Sequence, residues 1–239
     1  NANCVEFLLE NDVFDRLEGN PFTPAHCASF SGSERCLELL LLKFGAEIAH
    51  SRDSRDRTPL HIAALHGHVE CAKLLVEKGG DVRARDEDGR TPLVAAAQYG
   101  QVAFVEYLLG CSGVDRTSQD RQGNTALHWA CYRKHNNIAL LLLENSEDVA
   151  FVNTANGDGK TPLHLSSRNG LVDVTKELLQ KGASVSAVDN DGLTPALCCA
   201  PNANVAQCLS LILQSLPEFN VKCTYNSKDA LNFHIHYNQ

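Results

Sequence analysis

The chain has 239 residues, of which 44% are hydrophobic and only 6% aromatic, and its formal net charge is −8. Binding to a nucleic-acid backbone requires a dense basic surface, which a chain of this negative charge lacks. Nucleic acid is therefore not an expected partner. No apolar run approaches the length of about 18 residues that a membrane-spanning helix needs, and the sequence therefore predicts no membrane insertion.

The first predicted element is a helix over Cys4–Leu9, which begins almost at the first residue. Its apolar residues suit the second helix of a two-helix unit whose first helix is missing. We therefore expect the sequence to be a piece of a longer protein that begins inside a repeat.

A threonine then recurs every 33 to 36 residues, at Thr23, Thr58, Thr91, Thr125, Thr161 and Thr194. Proline follows it in five copies, and histidine stands three residues after it in four, at His26, His61, His128 and His164. Threonine is a good N-cap, and proline suits the first helical position. An Ala-rich helix, a Gly turn, a second helix and a polar loop with a β-hairpin signal follow. The period predicts a chain of two-helix repeats.

This register divides the chain into a partial repeat, five regular repeats, an atypical terminal repeat and a tail without the pattern. Their bounds are 1–19, then 20–54, 55–87, 88–121, 122–157 and 158–190, then 191–216, and finally 217–239. Because one such unit cannot bury its own apolar face, stability has to come from stacking neighbouring units.

The Thr-Pro-Leu-His unit, intact at 58–61 and 161–164, resembles the ankyrin repeat over roughly residues 1–216. The resemblance implies an all-α ankyrin-repeat solenoid, with a helix-turn-helix and a β-hairpin loop in each repeat. We expect a right-curved stack of about six repeats plus a partial one. It also implies a non-catalytic protein-binding scaffold that uses no cofactor.

Several segments look more particular: Glu18–Cys27, Asn169–Leu171, Lys181–Val185, Gly192–Asn202 and Val205–Leu213. Together they resemble the C-terminal repeats of the ankyrin-repeat regulatory subunits of serine/threonine protein phosphatase 6. This resemblance implies a fragment of a scaffold that holds the phosphatase catalytic subunit together with a second regulatory subunit. Two alternatives stay open: a general ankyrin adaptor with another partner, including a membrane-linked one, and a substrate-recruiting array of a larger enzyme.

The cysteines fall into repeat slots and form no Cys-x-x-Cys pair. Thirteen residues after the threonine, the slot holds Cys36, Cys71, Phe104, Ile138 or Val174. Four residues after it, the slot holds Cys27, Ile62, Ala95, Trp129, Leu165 or Cys198. Such mixed apolar slots indicate packing, so we expect reduced, buried thiols and a core position for Trp129. Reduced thiols favour a cytoplasmic and/or nuclear location.

Isolated features that mimic chemistry do not complete a site. Gly159-Lys160-Thr161 lacks the upstream glycine of a phosphate-binding loop. The pairs His66/His68 and His234/His236 offer two imidazoles each, whereas zinc needs three or four ligands. We therefore predict no catalytic, cofactor-binding or metal-binding residue.

The short first helices and hairpin loops of an ankyrin stack line a concave face. The residues just before each inter-helix turn should point to it, and here they vary in size and charge. The candidates are Phe30, Leu65, His66, Gln98, Tyr99, Tyr132, Arg133, Arg168 and Asn169. Since Tyr and Arg are favoured binding anchors, this strip predicts contact with a protein partner. We expect the segment itself to be monomeric.

The hairpin tips carry a second candidate set, a basic lobe on an acidic chain. Its arginines are Arg55, Arg57, Arg83, Arg85 and Arg90. They either steer an acidic partner or form a solubilising charged edge. In addition, Asn153 occupies the hairpin slot in which asparaginyl hydroxylases modify ankyrin repeats, which makes it a candidate for hydroxylation.

Overall fold

A computed structural model describes residues 22–144, 148–199, 203–216, 219–226 and 230–237 of the chain. The partial repeat predicted at 1–19 lies outside these residues. The chain divides into two compact units, Asn1–Arg121 and Gln122–Gln239.

The described part of the first unit consists of helix pairs. They are α1 (Pro24–Ser31) with α2 (Glu34–Phe44), α3 (Pro59–His66) with α4 (Val69–Glu77), and α5 (Pro92–Tyr99) with α6 (Val102–Gly110). A short 3₁₀ helix, Ala46–His50, follows α2. First helices pack on first helices and second helices on second helices, so that α3 lies between α1 and α5 while α4 lies between α2 and α6.

The second unit repeats this arrangement with two changes. Its helices are α7 (Ala126–Arg133), α8 (Asn136–Leu143), α9 (Val149–Asn153), α10 (Pro162–Asn169), α11 (Val172–Gln180) and α12 (Ala203–Gln214). The five-residue helix α9 replaces part of a hairpin loop. Residues 195–198 form a turn where the first helix of a regular repeat would stand. Helix α10 packs on α7, and α11 lies between α8 and α12.

The tail is built differently from the repeats. It forms two antiparallel strands, β1 (Phe219–Asn226) and β2 (Ala230–Tyr237), with Phe219 opposite Tyr237 and Asn226 opposite Ala230. Strand β1 lies next to α12. This two-stranded sheet follows the solenoid, and nothing in the repeat register predicted it.

In the four repeats that carry the motif histidine, the threonine and the histidine close the start of the first helix in a reciprocal capping box. In the repeat of α3, the Thr58 N–H donates to His61 Nδ1 at 3.2 Å, and Thr58 Oγ1 lies 2.9 Å from the same nitrogen. The other ring nitrogen, Nε2, lies 2.9 Å from the Arg90 carbonyl oxygen of the next loop. One side chain thus caps its own helix and ties it to the following repeat.

The same geometry recurs in the repeats of the other motif histidines. The ring Nε2 lies 2.8 Å from the Arg57 oxygen for His26, 3.0 Å from the Lys160 oxygen for His128, and 3.1 Å from the Leu193 oxygen for His164. The prediction that these histidines bond the loop backbone between repeats is confirmed.

This arrangement fixes the tautomer of each motif histidine. A carbonyl oxygen can only accept, so Nε2 carries the proton and Nδ1 accepts from the threonine. Burial lowers the pKa of His26, His61 and His164, although the carbonyl bond opposes it. These imidazoles are therefore held neutral as structural groups.

The hairpin loops are tight turns rather than paired strands. In the loop before α5, the Asp86 N–H donates to the Arg90 oxygen at 3.0 Å and the Gly89 N–H donates to the Asp86 oxygen at 2.9 Å. Successive loops are linked by backbone bonds, such as the 2.9 Å bond from the Glu87 N–H to the Arg55 oxygen. A turn thus replaces the β-hairpin expected in each repeat. The remaining backbone hydrogen bonds of the loops run between neighbouring loops and not between two strands of one hairpin.

Candidate protein-binding surface

The predicted strip residues lie at the C-terminal ends of the first helices, and in each unit we call this set the helix-end strip. In the first unit these helices are α1, α3 and α5. Phe30 and Tyr99 are each 55% exposed, and His66 is also exposed. The Phe30 and His66 rings meet edge to face, with centroids 4.5 Å apart. The structure thus places aromatic side chains of successive repeats at the surface, while the bodies of these helices are buried.

Two strip residues of the first unit are less available. Leu65 is half-buried, and Gln98 is only 9% exposed. The Gln98 Oε1 atom accepts a hydrogen bond from Arg90 Nη1 at 3.1 Å. Gln98 therefore braces the neighbouring loop, so its position in the strip does not make it a surface residue.

In the second unit the helix-end strip is cationic as well as aromatic. Tyr132 is 55% exposed, and Arg133 and Arg168 are exposed. Asn169 points elsewhere: its Nδ2 donates to the carbonyl oxygens of Cys131 at 2.9 Å and Tyr132 at 3.3 Å. Asn169 thus satisfies the last carbonyls of α7, which have no partner within their own helix.

A groove of about 230 Å³ lies beside this strip, between the helix side and the loop side of the second unit. Its lining residues are Gln122, Asn124, His128, Trp129, Tyr132, Asn156, Asp158, Lys160, Leu165 and Arg168. Two of them, Tyr132 and Arg168, were predicted as partner contacts. The groove joins the first helices and the loops of two repeats, which is where sequence reasoning placed binding.

Trp129 corrects the sequence analysis, because its predicted core position is wrong. Its side chain is only half-buried, and it lines the groove. The same slot is buried at Ile62 and Leu165 but exposed at Cys27, so the register position does not by itself fix burial.

Trp129 belongs to a small aromatic and cationic cluster. The Trp129 and Tyr132 rings meet edge to face, with centroids 5.9 Å apart. The Arg133 guanidinium lies 5.9 Å from the Trp129 ring centroid and 5.7 Å from that of Tyr132. These distances suit cation–π attraction, which orders the rings without an ion pair.

The hairpin arginines of the first unit are engaged inside the fold. The Arg57 Nη2 atom lies 2.7 Å from Asp53 Oδ2, and Arg90 Nη2 lies 2.9 Å from Asp86 Oδ2. Burial alone would raise the pKa of Asp53, but the Arg57 guanidinium and the backbone N–H groups of Arg57 and Arg55 outweigh it and lower that pKa. These two arginines complete buried carboxylates in their own loops.

Arg83 and Arg85 both reach the next loop, and Arg85 also bonds within its own loop. The Arg85 Nη1 atom donates to the carbonyl oxygens of Gly89 at 3.1 Å and Gln119 at 2.6 Å, and Arg83 Nε donates to that of Gly113. Arg55 differs: its side chain is 62% exposed and lies 3.6 Å from Glu87 Oε1. The predicted basic lobe is thus largely a set of structural bonds.

The side chain of Asn153, the hydroxylation candidate, lies at the end of α9. Its Nδ2 donates to the carbonyl oxygens of Val149 at 2.9 Å and Gly182 at 3.0 Å. Its Oδ1 accepts from the Ser184 N–H at 2.7 Å. The amide thus joins its own repeat to the next loop, and hydroxylation of this residue stays a prediction.

The chemistry of the described residues is otherwise sparse. No three His, Cys, Asp or Glu side chains gather there as metal ligands would. Within the same residues, no helix combines the length and apolar character needed to cross a membrane. The cysteines in this part are free, and Cys36, Cys71, Cys131 and Cys208 are buried, whereas Cys27 is exposed.

Repeated helix pairs joined by linked loops define a helical-repeat solenoid, a class of protein whose repeats contact only their neighbours. Comparison with known families agrees. The ankyrin repeat profile in three copies matches residues 48–120, 79–153, 111–189 and 150–229, and the single ankyrin repeat profile matches 22–54. The chain therefore belongs to the ankyrin-repeat family, and it is a protein–protein interaction scaffold of the kind these repeats form.

Two known proteins show how far the likeness extends. A crystal structure of an ankyrin repeat domain from Acinetobacter baumannii superposes with a TM-score of 0.70 at 25% identity, covering 80% of this chain and 97% of that domain. The human transient receptor potential cation channel subfamily A member 1 is 34% identical over 134 residues, which are 56% of this chain and 11% of the channel. The chain thus spans a small part of that channel.

Proposed function

We propose that the chain is the C-terminal part of a regulatory subunit of protein phosphatase 6, a non-catalytic scaffold in the cytoplasm and/or nucleus. The phosphatase assignment is supported by the resemblance of segments such as Glu18–Cys27 and Gly192–Asn202 to the last repeats of those subunits. In this role the array holds the catalytic subunit together with a second regulatory subunit.

One observation carries the binding function: the ends of the first helices expose aromatic side chains, whereas most of the other residues of these first helices are buried. Phe30, Tyr99 and Tyr132 are all 55% exposed. Large exposed aromatic side chains supply most of the energy of many protein interfaces, and Tyr is among the most frequent anchors. Phe30 and Tyr132 stand seven residues after the motif threonine and Tyr99 stands eight after it, so all three lie just before an inter-helix turn.

Affinity capture tests both parts of this proposal. We expect the full chain to capture the phosphatase 6 catalytic and regulatory subunits from a defined mixture of purified proteins. The double variant Tyr99→Ala and Tyr132→Ala should reduce capture by about tenfold or more, because each ring removes a potential anchor. Circular dichroism should show unchanged helicity, since both side chains are largely exposed.

Leu42→Ala is the matched control. Leu42 is 72% exposed on α2, a second helix. The substitution therefore removes exposed apolar surface at a site away from the helix-end strip. Capture should survive this change. Equal loss in the control and the double variant would contradict a specific role for the strip, and failure of the unmodified chain to capture either subunit would contradict the phosphatase assignment.

The likeness to the human channel favours a second candidate, an ankyrin adaptor or array linked to a membrane protein. A third candidate is an array that recruits substrates to a larger enzyme. The full coding sequence separates these possibilities. Additional repeats support the scaffold, channel-type membrane spans support the second candidate, and a kinase or ligase domain supports the third. Imaging of the tagged full-length protein tests the proposed cytoplasmic and/or nuclear location.

A further inference from the structure

The groove of the second unit has an apolar floor. Trp129 and Leu165 occupy the same register position in successive repeats, and both line the groove. Leu165 is buried, and the Trp129 side chain is half-buried, so that part of it is exposed to solvent. An apolar side chain that entered the groove would cover the exposed part of the indole, which is a favourable change because it removes apolar surface from water.

The loop side of the groove is already satisfied. The Asn156 Nδ2 atom donates to Asn124 Oδ1 at 2.8 Å, and Asn156 Oδ1 accepts from the Lys160 N–H at 2.9 Å. The Lys160 ammonium lies 3.4 Å from Asp158 Oδ2 and 3.9 Å from Asp191 Oδ2. This wall therefore presents amides and a lysine that is already paired with two carboxylates.

The helix side carries uncompensated positive charge. Among the described residues, the Arg168 side chain has no hydrogen-bond or ion-pair partner, although it lines the groove. Arg133 faces the Trp129 and Tyr132 rings at cation–π distance and has no carboxylate partner in the same part of the chain. Arg133 and Arg168 place two positive charges at this rim of a chain of net charge −8, so a carboxylate has a complementary position beside Arg168.

The size of the groove decides what fits. Its volume of about 230 Å³ is below the range of about 300–1,000 Å³ that small-molecule sites occupy, so it suits a side chain or two of a larger partner.

We propose that this groove binds an extended acidic segment of a protein partner, with an apolar side chain on Trp129 and Leu165 and a carboxylate on Arg168. The inference rests on the proposed protein-binding function and adds the chemistry of the partner. Arg168 sets the preference for acidic sequences, and the indole supplies the contact area.

The chain offers its own reporter, because Trp129 is its only tryptophan. The probes are a capped serine-rich peptide that carries Leu-Glu pairs and a matched analogue in which every glutamate is glutamine. We expect the acidic peptide to shift Trp129 emission and to bind at least about tenfold more tightly than the neutral one. Raising the ionic strength should reduce the difference, because the contact with Arg168 is exposed.

Arg168→Gln tests the assigned contact, and folding should be unaffected because this side chain makes no bond in the described part of the chain. We expect the variant to bind both peptides equally, whereas Arg55→Gln, an exposed arginine outside the groove, should keep the preference. The proposal is overturned if the two peptides bind the unmodified chain equally, if the preference survives in Arg168→Gln, or if neither peptide changes Trp129 emission.

The same preparation separates this inference from the scaffold function. Capture of phosphatase subunits without a response of Trp129 to the acidic peptide would remove the groove proposal and leave the scaffold. A selective Trp129 response without subunit capture would support the groove and contradict the phosphatase assignment.

Discussion

The hairpin arginines of the first unit and the helix-end arginines of the second unit have opposite surroundings. Arg57 and Arg90 are bonded to the buried carboxylates of Asp53 and Asp86, with arginine side chains only 21% and 14% exposed. Arg133 and Arg168 are exposed beside aromatic rings or a groove. The comparison shows that the contacts of an arginine decide whether its charge is available to a partner. The number of basic residues in a loop does not.

The loop arginines of the first unit that bind buried carboxylates depend on one repeat position. An arginine four residues after the loop aspartate lets its guanidinium fold back onto the carboxylate, as in Asp53 with Arg57. In the second unit the last such loop has Leu193 four residues after Asp189. Asp189 Oδ2 is buried and has no hydrogen-bond partner among the described residues. The first unit thus uses its arginines to complete loops, and this loop of the second unit is left incomplete.

Arg90→Leu should have the largest effect on the comparison. The change leaves Asp86 Oδ2 without its guanidinium donors in a side chain that is 1% exposed. Removing one partner of a buried pair strands the other charge, so we expect unfolding to require about 2–4 kcal/mol less free energy. Urea denaturation followed by circular dichroism measures the loss.

Arg168→Leu is the matched control for this experiment. It removes the same charge and adds the same side chain at an exposed site, so stability should stay within about 0.5 kcal/mol of the unmodified chain. Similar losses in both variants would break the distinction between structural and available arginines.

Mild acid tests the Thr–His networks that both units share. Burial lowers the pKa of His26, His61 and His164 below the ordinary value of 6.5, so the unfolded chain takes up protons before the folded chain does. Their contribution is complete above about pH 6.5 and is lost as the pH falls from there toward the folded pKa values. We expect the thermal midpoint to drop by several degrees between about pH 7 and pH 5.

His61→Gln provides the control, since an amide does not titrate. The variant should begin less stable but lose less on acidification than the unmodified chain. The lowered pKa of Asp53 acts in a separate window, because that contribution is lost only as the pH falls below 3.8, its ordinary value. A thermal midpoint that does not change down to about pH 5 would argue against neutral motif histidines.

The parts of the fold that depend on repetition were predictable. A threonine and a histidine at one spacing in several repeats can only be structural, and the bond from His61 to the Arg90 oxygen confirms this. Trp129 was not predictable, because a slot shows which residues are tolerated and not how far the largest one protrudes. The fate of Arg57 depended on a side-chain rotamer that returns to Asp53. The strands of the tail have no repeat to reveal them.

Leu193→Arg sharpens the comparison by giving the second unit the loop chemistry of the first. The new guanidinium should reach Asp189 Oδ2 as Arg57 reaches Asp53 Oδ2, since Asp189 Oδ1 already accepts the Leu193 N–H at 2.9 Å in the same turn. We expect the thermal midpoint to rise by about 1–3 °C. Leu193→Gln, which adds a polar group without the charge, should give a smaller rise. A thermal midpoint of the arginine variant below that of the unmodified chain would show that the Asp189 loop cannot accept a guanidinium.

Arg55→Ala should have the smallest effect and marks the boundary between the two classes of arginine. Its side chain is 62% exposed, and the ion pair with Glu87, at 3.6 Å, lies on the surface. Such pairs contribute about 0–1 kcal/mol, so we expect a loss below about 0.5 kcal/mol that shrinks further in high salt. Denaturation at low and high ionic strength measures both. A loss as large as that of Arg90→Leu would place Arg55 among the structural arginines, whereas weaker capture of an acidic partner at unchanged stability would restore it as a binding residue of the hairpin tips.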